Sequence, residues 1–245
     1  MDFRTINTEV LVIGGGVAGL RAAVAAAELG TEVAIVSKPS CASPEIMGFN
    51  APVMPGDSKE LYFSDIEQSG YGINDSRLAM VLSEHVLDEV TYLEGLGLEF
   101  DRDAEGRYLP IHTLGTAYPR LIKTGVSSGS AEMRILKTRC GELGVKQYAP
   151  VDILGLLVSR GHVLGAYGLD LGSGELLRFT ASAVVLATGG CGAMQSFSTY
   201  PKALTGDGYA MAYEAGARLT DMEFQQFEPC CFIWPEELSG KVIAT

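Results

Sequence analysis

An α/β fold built on a central parallel sheet, with helices on one face and a three-stranded β-meander on the other, is the architecture this sequence predicts. Three observations carry it. A strand, a glycine turn, a helix and a second strand follow one another near the amino terminus, within about the ~30 residues of a βαβ unit. Three short β-prone runs separated by tight turns come later. Between them lies chain with helical rather than strand periodicity.

The elements follow in order. Residues 9–13 are an apolar run read as a strand, interrupted by Gly14-Gly15-Gly16-Val17-Ala18-Gly19. The alanine-rich stretch 21–29 reads as a helix stopped by Gly30, and 31–36 as the second strand. Residues 38–76 are rich in turn formers (Pro39, Pro44, Gly48, Pro52, Pro55, Gly56) and read as an irregular segment of the length usually kept for function. Leu78, Leu82, Val86, Val90, Leu93 and Leu96 recur at helical spacing, with Asp75 or Ser76 as the N-cap and Gly97 near the end. A further helix is expected over 130–143, ended by Gly144. Runs 151–159, 162–170 and 176–180, separated by Arg160-Gly161 and Gly172-Ser173-Gly174-Glu175, form the meander. A fourth apolar run, 183–187, stops at Thr188-Gly189-Gly190, and a short helix over 209–215 closes at Gly216. No repeat, low-complexity tract or linker interrupts the chain, so one domain is expected over 1–245.

Composition limits what this fold can do. Of the 245 residues 47% are hydrophobic and 20% charged, the balance of a globular protein with a substantial core. The net charge of -12 disfavours binding to nucleic acid or to an anionic membrane, so an anionic ligand has to be held by local dipoles. No apolar run approaches the ~20 residues of a membrane-spanning helix, and Met-Asp-Phe-Arg-Thr opens no leader, which makes a cytoplasmic protein the expectation. The five cysteines (Cys41, Cys140, Cys191, Cys230, Cys231) include no CxxC, so no metal or iron-sulfur site is expected within the chain. The neighbours Cys230 and Cys231 are either a redox pair or two small, part-buried side chains.

The chemistry sits in the glycine turn. In Gly14-x-Gly16-x-x-Gly19 the first glycine permits a tight turn, the second lets a pyrophosphate approach the backbone, and the third lets helix and strand pack closely. Amides at the helix N-terminus then face the phosphates. Gly14, Gly15, Gly16, Val17, Ala18 and Gly19 are therefore candidate cofactor contacts. The second strand ends in Ser37-Lys38 rather than in the acidic residue that commonly accepts ribose hydroxyls. Ser37 can exchange hydrogen bonds with a ribose, and a cation at Lys38 lies near phosphates or adenine, or meets the 2′-phosphate of NADP. A β-meander followed by a strand ending in Ala187-Thr188-Gly189-Gly190 is the arrangement of large FAD-binding folds, which favours FAD and adds those four residues to the candidates.

The run Ala187 to Gly190, the later Thr205-Gly206-Asp207-Gly208, and Asp221-Met222-Glu223-Phe224-Gln225-Gln226-Phe227-Glu228-Pro229 resemble the flavoprotein subunits of succinate dehydrogenase and fumarate reductase, and L-aspartate oxidase. The resemblance spans nearly the whole chain. It implies a Rossmann-like FAD-binding fold and an FAD-dependent oxidoreductase passing a hydride between flavin N5 and a small organic substrate. It implies FAD contacts from Gly14 to Gly19, from Ser37 to about Ala51, and from Asp207, which is otherwise a helix N-cap. Expected partners are a small-molecule substrate and an iron-sulfur protein or a second flavoprotein chain, which would allow peripheral attachment at a membrane.

Three departures qualify the resemblance. The histidine that attaches FAD covalently in many respiratory members is missing from Ser40-Cys41-Ala42-Ser43-Pro44, so non-covalent FAD is expected. Glu228 stands where the family has a histidine that helps bind a dicarboxylate, and one carboxylate repels another unless it is protonated or paired. Glu228 is thus either a contact to a cationic or neutral ligand, a metal or an arginine, or a structural carboxylate. The family's proton-donating arginine, its glycine-rich segment for the far end of the flavin and its capping domain are expected beyond residue 245 or on another chain. Of the three histidines, His85 and His162 read as surface or packing residues, whereas His112, shortly before Pro119-Arg120, is a candidate neighbour of the active site. Two other readings stay open: a non-catalytic FAD-binding electron-transfer subunit working with an iron-sulfur partner, and an NAD(P)-dependent dehydrogenase.

Overall fold

The computed structural model describes residues 3–125, 127–227 and 230–241. In chain order the elements are β1 (Arg4–Ile13), α1 (Val17–Glu28), β2 (Val33–Val36), β3 (Phe49–Asn50), α2 (Lys59–Ser69), α3 (Ser76–Gly95), β4 (Leu121–Ile122), α4 (Ser128–Glu142), β5 (Lys146–Tyr148), β6 (Val151–Ser159), β7 (His162–Asp170), β8 (Leu176–Leu186) and α5 (Asp207–Glu214). The described residues divide into two compact units, one within Met1–Ala42 and Lys137–Thr245, the other within Ser43–Leu136.

The first unit is organised by a six-stranded sheet in the order β5-β2-β1-β8-β7-β6. β5, β2, β1 and β8 are parallel, while β7 runs antiparallel to both of its neighbours, β8 and β6. Strand residues alternate between faces, and the sequence uses both. Leu11, Ile13, Ala34 and Val36 point into one core with Val151, Ile153, Ala166, Leu177 and Phe179, which is the layer the meander supplies. Val12, Val33 and Ile35 are equally buried on the opposite face. There α1 packs on β1 and β2, burying Gly19, Leu20, Ala23 and Val24. All four β2 residues are buried, as expected of a parallel strand covered on both sides. The last turn of α4 joins the α1 side, with Arg139 paired to Glu28 at 3.0 Å.

Two strands are longer than the hydrophobic runs suggest. β1 reaches back to Arg4, because Arg178 donates to Thr5 Oγ1 at 2.9 Å and Thr180 to Asn7 Oδ1 at 2.5 Å, so polar residues pair across strands on an exposed edge. The runs 176–180 and 183–187, read separately, are one strand. Its first half pairs with both β1 and β7, and beyond Thr180 it pairs with β1 alone. Ala181 and Ser182 break the apolar run but not the strand, since β1 pairs on either side of Ser182, Thr8 with Ala181 and Val10 with Ala183. Where β7 departs, an apolar cleft of about 340 Å³ opens among Leu156, Val163, Val184, Leu186 and Ala212. α5 lies on this side, with Met211 in the meander core.

The second unit contains α2, α3 and the β3–β4 pair. α2 falls in the segment expected to be irregular. Ser58 caps it by accepting from Leu61 N at 3.2 Å, and Tyr62 is its one buried residue, which leaves no apolar stripe to read. Its anchor is Arg120, fully buried and held bidentately by Asp57 at 2.7 Å and by Asp65 at 2.5 Å. α3 is capped by Asp75 as expected, but its first turns bury Ala79 and Ser83, leaving Leu78 and Leu82 exposed. α4 starts at Ser128, two residues before the expected Ser130. The Ser128 hydroxyl accepts from Thr124 N at 2.8 Å and donates to the carbonyl of Met47.

Candidate functional site

β1, β2 and β8 end together. Their last registered pairs are Ile13 with Val36 and Ile13 with Leu186, so Gly14, Ser37 and Ala187 emerge side by side at the carboxyl edge of the parallel sheet. In open α/β sheets this is the edge at which ligands bind. Backbone bonds fix the convergence, with Gly14 N donating to Val36 O and Ala187 N to Ile13 O, both at 2.8 Å. Ser37 is pinned by its N–H on Tyr148 O and its carbonyl under Val151 N.

Only glycine fits this turn. Gly14 has φ +123°, and a Cβ there would lie 2.1 Å from the Ala187 carbonyl oxygen. A Cβ on Gly15 would meet Ser37 Cβ at 2.7 Å, and one on Gly19 would meet Gly14 O at 1.8 Å. Gly16 is the N-cap of α1 and, as a glycine, brings no side-chain cap of its own. Ala187 also touches the position a Gly19 Cβ would take, at 3.3 Å. The glycine turn and the Ala187-Thr188-Gly189-Gly190 turn are thus packed as one piece. Thr188 rests on Gly208, whose added Cβ would fall 1.9 Å from Thr188 Oγ1, and Gly189 takes φ +73° beside Leu204.

Asp207 is brought to the same edge, although it lies 169 residues from its main partner. Its Oδ2 accepts from Lys38 Nζ at 2.5 Å and from Thr205 Oγ1 at 2.6 Å. Lys38 Nζ also reaches Asp152 Oδ1 at 3.2 Å and Thr205 Oγ1 at 3.2 Å. Burial alone would lower the Lys38 pKa, but hydrogen bonds to Asp207 and Asp152 outweigh it and hold the ammonium above the ordinary lysine value. The bond from Lys38, followed by that from Thr205, holds Asp207 below the usual carboxylate range. The N-cap reading of Asp207 is corrected: Gly206, in the left-handed region at φ 80°, is the N-cap, and Asp207 is the first helical residue with its carboxylate turned to Lys38. Sequence reasoning misses Asp152 and Thr205 as members of this group. Thr205 carries a signal in its motif; Asp152, inside a meander strand, carries none.

His112 lies in an exposed turn of the second unit, where Nε2 donates to the carbonyl of Thr116 at 2.7 Å. Glu228 lies outside the described residues. Cys41, Cys191 and Cys231 are half-buried and Cys230 is exposed. Among the described residues no helix is long and apolar enough to cross a membrane.

Comparison with known proteins bears on this geometry. Residues 9–241 match the family model described as FAD binding domain. The chain is 34% identical over 251 residues to a fumarate reductase (CoM/CoB) subunit of Methanothermobacter marburgensis, covering 99% of this chain and 46% of that protein. It is also 34% identical to L-aspartate oxidase 1 of Ralstonia nicotianae, covering 94% and 45%. Among solved structures, the apo Sdh1 complex of Mycobacterium smegmatis superposes with a TM-score of 0.93 at 32% identity, over 99% of this chain and 44% of that one. A point variant of the quinol fumarate reductase FrdA from E. coli gives 0.89 at 29%, over 94% and 40%. The chain thus spans about half the length of the relatives it matches.

Proposed function

The chain belongs to the FAD-binding domain family of flavoprotein oxidoreductases, and on that basis we propose that it is the cofactor-holding part of an enzyme of the succinate dehydrogenase and fumarate reductase type, acting on a small organic molecule. The observation that carries this reading is the junction of three parallel strand ends at a turn where neither Gly14, Gly15 nor Gly19 has room for a side chain. Backbone amides there can approach a diphosphate as closely as hydrogen bonding requires.

The residues present suit FAD. Gly14, Gly15, Gly16, Val17, Ala18 and Gly19 would hold the diphosphate. Ser37 and Asp207, the latter held by Lys38, would meet the hydroxyl-bearing part, and Ala187, Thr188, Gly189 and Gly190 would wall the crevice. FAD supplies hydride transfer at N5 when bound, and the protein's task is to bind, orient and tune it. Lys38 speaks against the NADP alternative, because its ammonium already serves two carboxylates and a hydroxyl. Attachment is read as non-covalent, since Ser40-Cys41-Ala42-Ser43-Pro44 offers no histidine. A cytoplasmic location and an iron-sulfur or second flavoprotein partner belong to the same proposal.

The test is direct. The purified chain should bind FAD on titration, with a change in flavin fluorescence, and release it intact on denaturation and filtration. Uptake of NADP but not of FAD overturns the proposal, and flavin that stays with the denatured polypeptide overturns non-covalent attachment.

A further inference from the structure

Lys38 has the three N–H donors of an ammonium group, and three protein oxygens surround them: Asp207 Oδ2 at 2.5 Å, Asp152 Oδ1 at 3.2 Å and Thr205 Oγ1 at 3.2 Å. No donor is left for a phosphate. Asp207 is used on one side only. Oδ2 takes both Lys38 and Thr205, whereas Oδ1 accepts no hydrogen bond from the described residues, and the side chain keeps 44% of its surface open. A carboxylate oxygen can only accept, so whatever approaches Oδ1 must bring a hydroxyl or an N–H rather than a phosphate oxygen.

The scaffold around Lys38 is firm. The residue follows Ser37, whose N–H and carbonyl are bonded to the end of β5 and the start of β6, and Asp152 is the second residue of β6. The meander therefore supplies the counter-charge that fixes the lysine, and the lysine fixes the first residue of α5.

We infer that Lys38 is a positioning residue. It reaches no phosphate itself, fixes Asp207 so that Oδ1 accepts a hydroxyl of the cofactor, and, having no donor to spare beside two carboxylates, disfavours a ribose bearing a 2′-phosphate. This rests on the FAD reading of the site, and the experiment separates the two.

A double-mutant cycle on the full chain measures it, with FAD titrated into wild type, Lys38→Met, Asp207→Asn and the double variant, each checked for folding by circular dichroism. Each single substitution should weaken FAD by a similar factor, on the order of tenfold, and the double variant no further, because both act through one contact. Factors that multiply, or unchanged affinity in Lys38→Met, overturn the inference while leaving FAD binding intact. No FAD uptake by wild type overturns the underlying reading instead. Should Lys38→Met fail to fold, Lys38→Gln, which keeps hydrogen-bonding capacity without charge, enters the same cycle. In competition against bound FAD, 5′-AMP should displace it more effectively than 2′,5′-ADP, which differs from it only by the 2′-phosphate; the reverse order overturns the inference.

Discussion

Arg120 shows how much a single side chain can hold. It has no exposed surface, Asp57 beside it has none, and Asp65 has little. Removing one partner from a buried ion pair leaves the other charge desolvated, which costs about 3–5 kcal/mol. Arg120→Met should lower the stability of the second unit by about that amount, read as a shift of its urea midpoint. Glu132 is buried, with no hydrogen-bond partner for Oε1 among the described residues, and burial raises its pKa from 4.5 to about 7. The native state therefore holds this proton where the unfolded chain has lost it, so stability falls as pH rises from about 4.5 to about 7. Glu132→Gln should stabilise the protein by about 1–3 kcal/mol near pH 8 and by much less near pH 5, a difference thermal unfolding would register. At this scale the sequence is legible where chemistry is local. The glycine turn can be read because its three glycines and the flanking strand and helix are contiguous. The ion cluster around Lys38 cannot, because Asp152 and Asp207 lie more than a hundred residues away and nothing near Lys38 signals them.

α3 shows the corresponding limit for an element. Helical spacing correctly marks its extent and cap, yet of the six leucines and valines in the stripe, Leu78 is 70% exposed and Leu82 50%. The helix is rotated so that Ala79 and Ser83 face inward, as close packing favours small residues. Leu93→Ala should therefore cost about 2–5 kcal/mol, whereas Leu78→Ser should stay within about 0.5 kcal/mol, a contrast chemical denaturation would expose. α2 escapes the sequence reading for a related reason: a helix held by one tyrosine and a cap has no periodic signature. Ala181 and Ser182 divide β8 in the sequence because hydrophobicity records burial, while a strand is defined by its ladder.

At the scale of the whole molecule, a net charge of -12 acts on an anionic ligand before any contact forms. The field reaches about 30 Å at 0.01 M salt and about 8 Å at 0.15 M, so moderate salt should quicken FAD association by screening repulsion. Stopped-flow fluorescence measures this; a rate that falls with salt would mean that the positive field at the glycine turn dominates at a distance. The division into two compact units has no sequence signature, since its second boundary, Leu136 to Lys137, falls within α4 rather than in a linker.

The upper rim of β8 has its own consequence. Beyond Thr180 its strand pairing among the described residues is on the β1 side only, and Val185 and Leu186 are each 36% exposed beside the apolar cleft. Such a rim is a template on which a like strand from a neighbouring molecule can crystallise its own ladder. For the polypeptide handled by itself, crowding in the tube rather than heat should then govern shelf life, with turbidity growing steeply as the stock is concentrated and a charged side chain at Val185 keeping it clear.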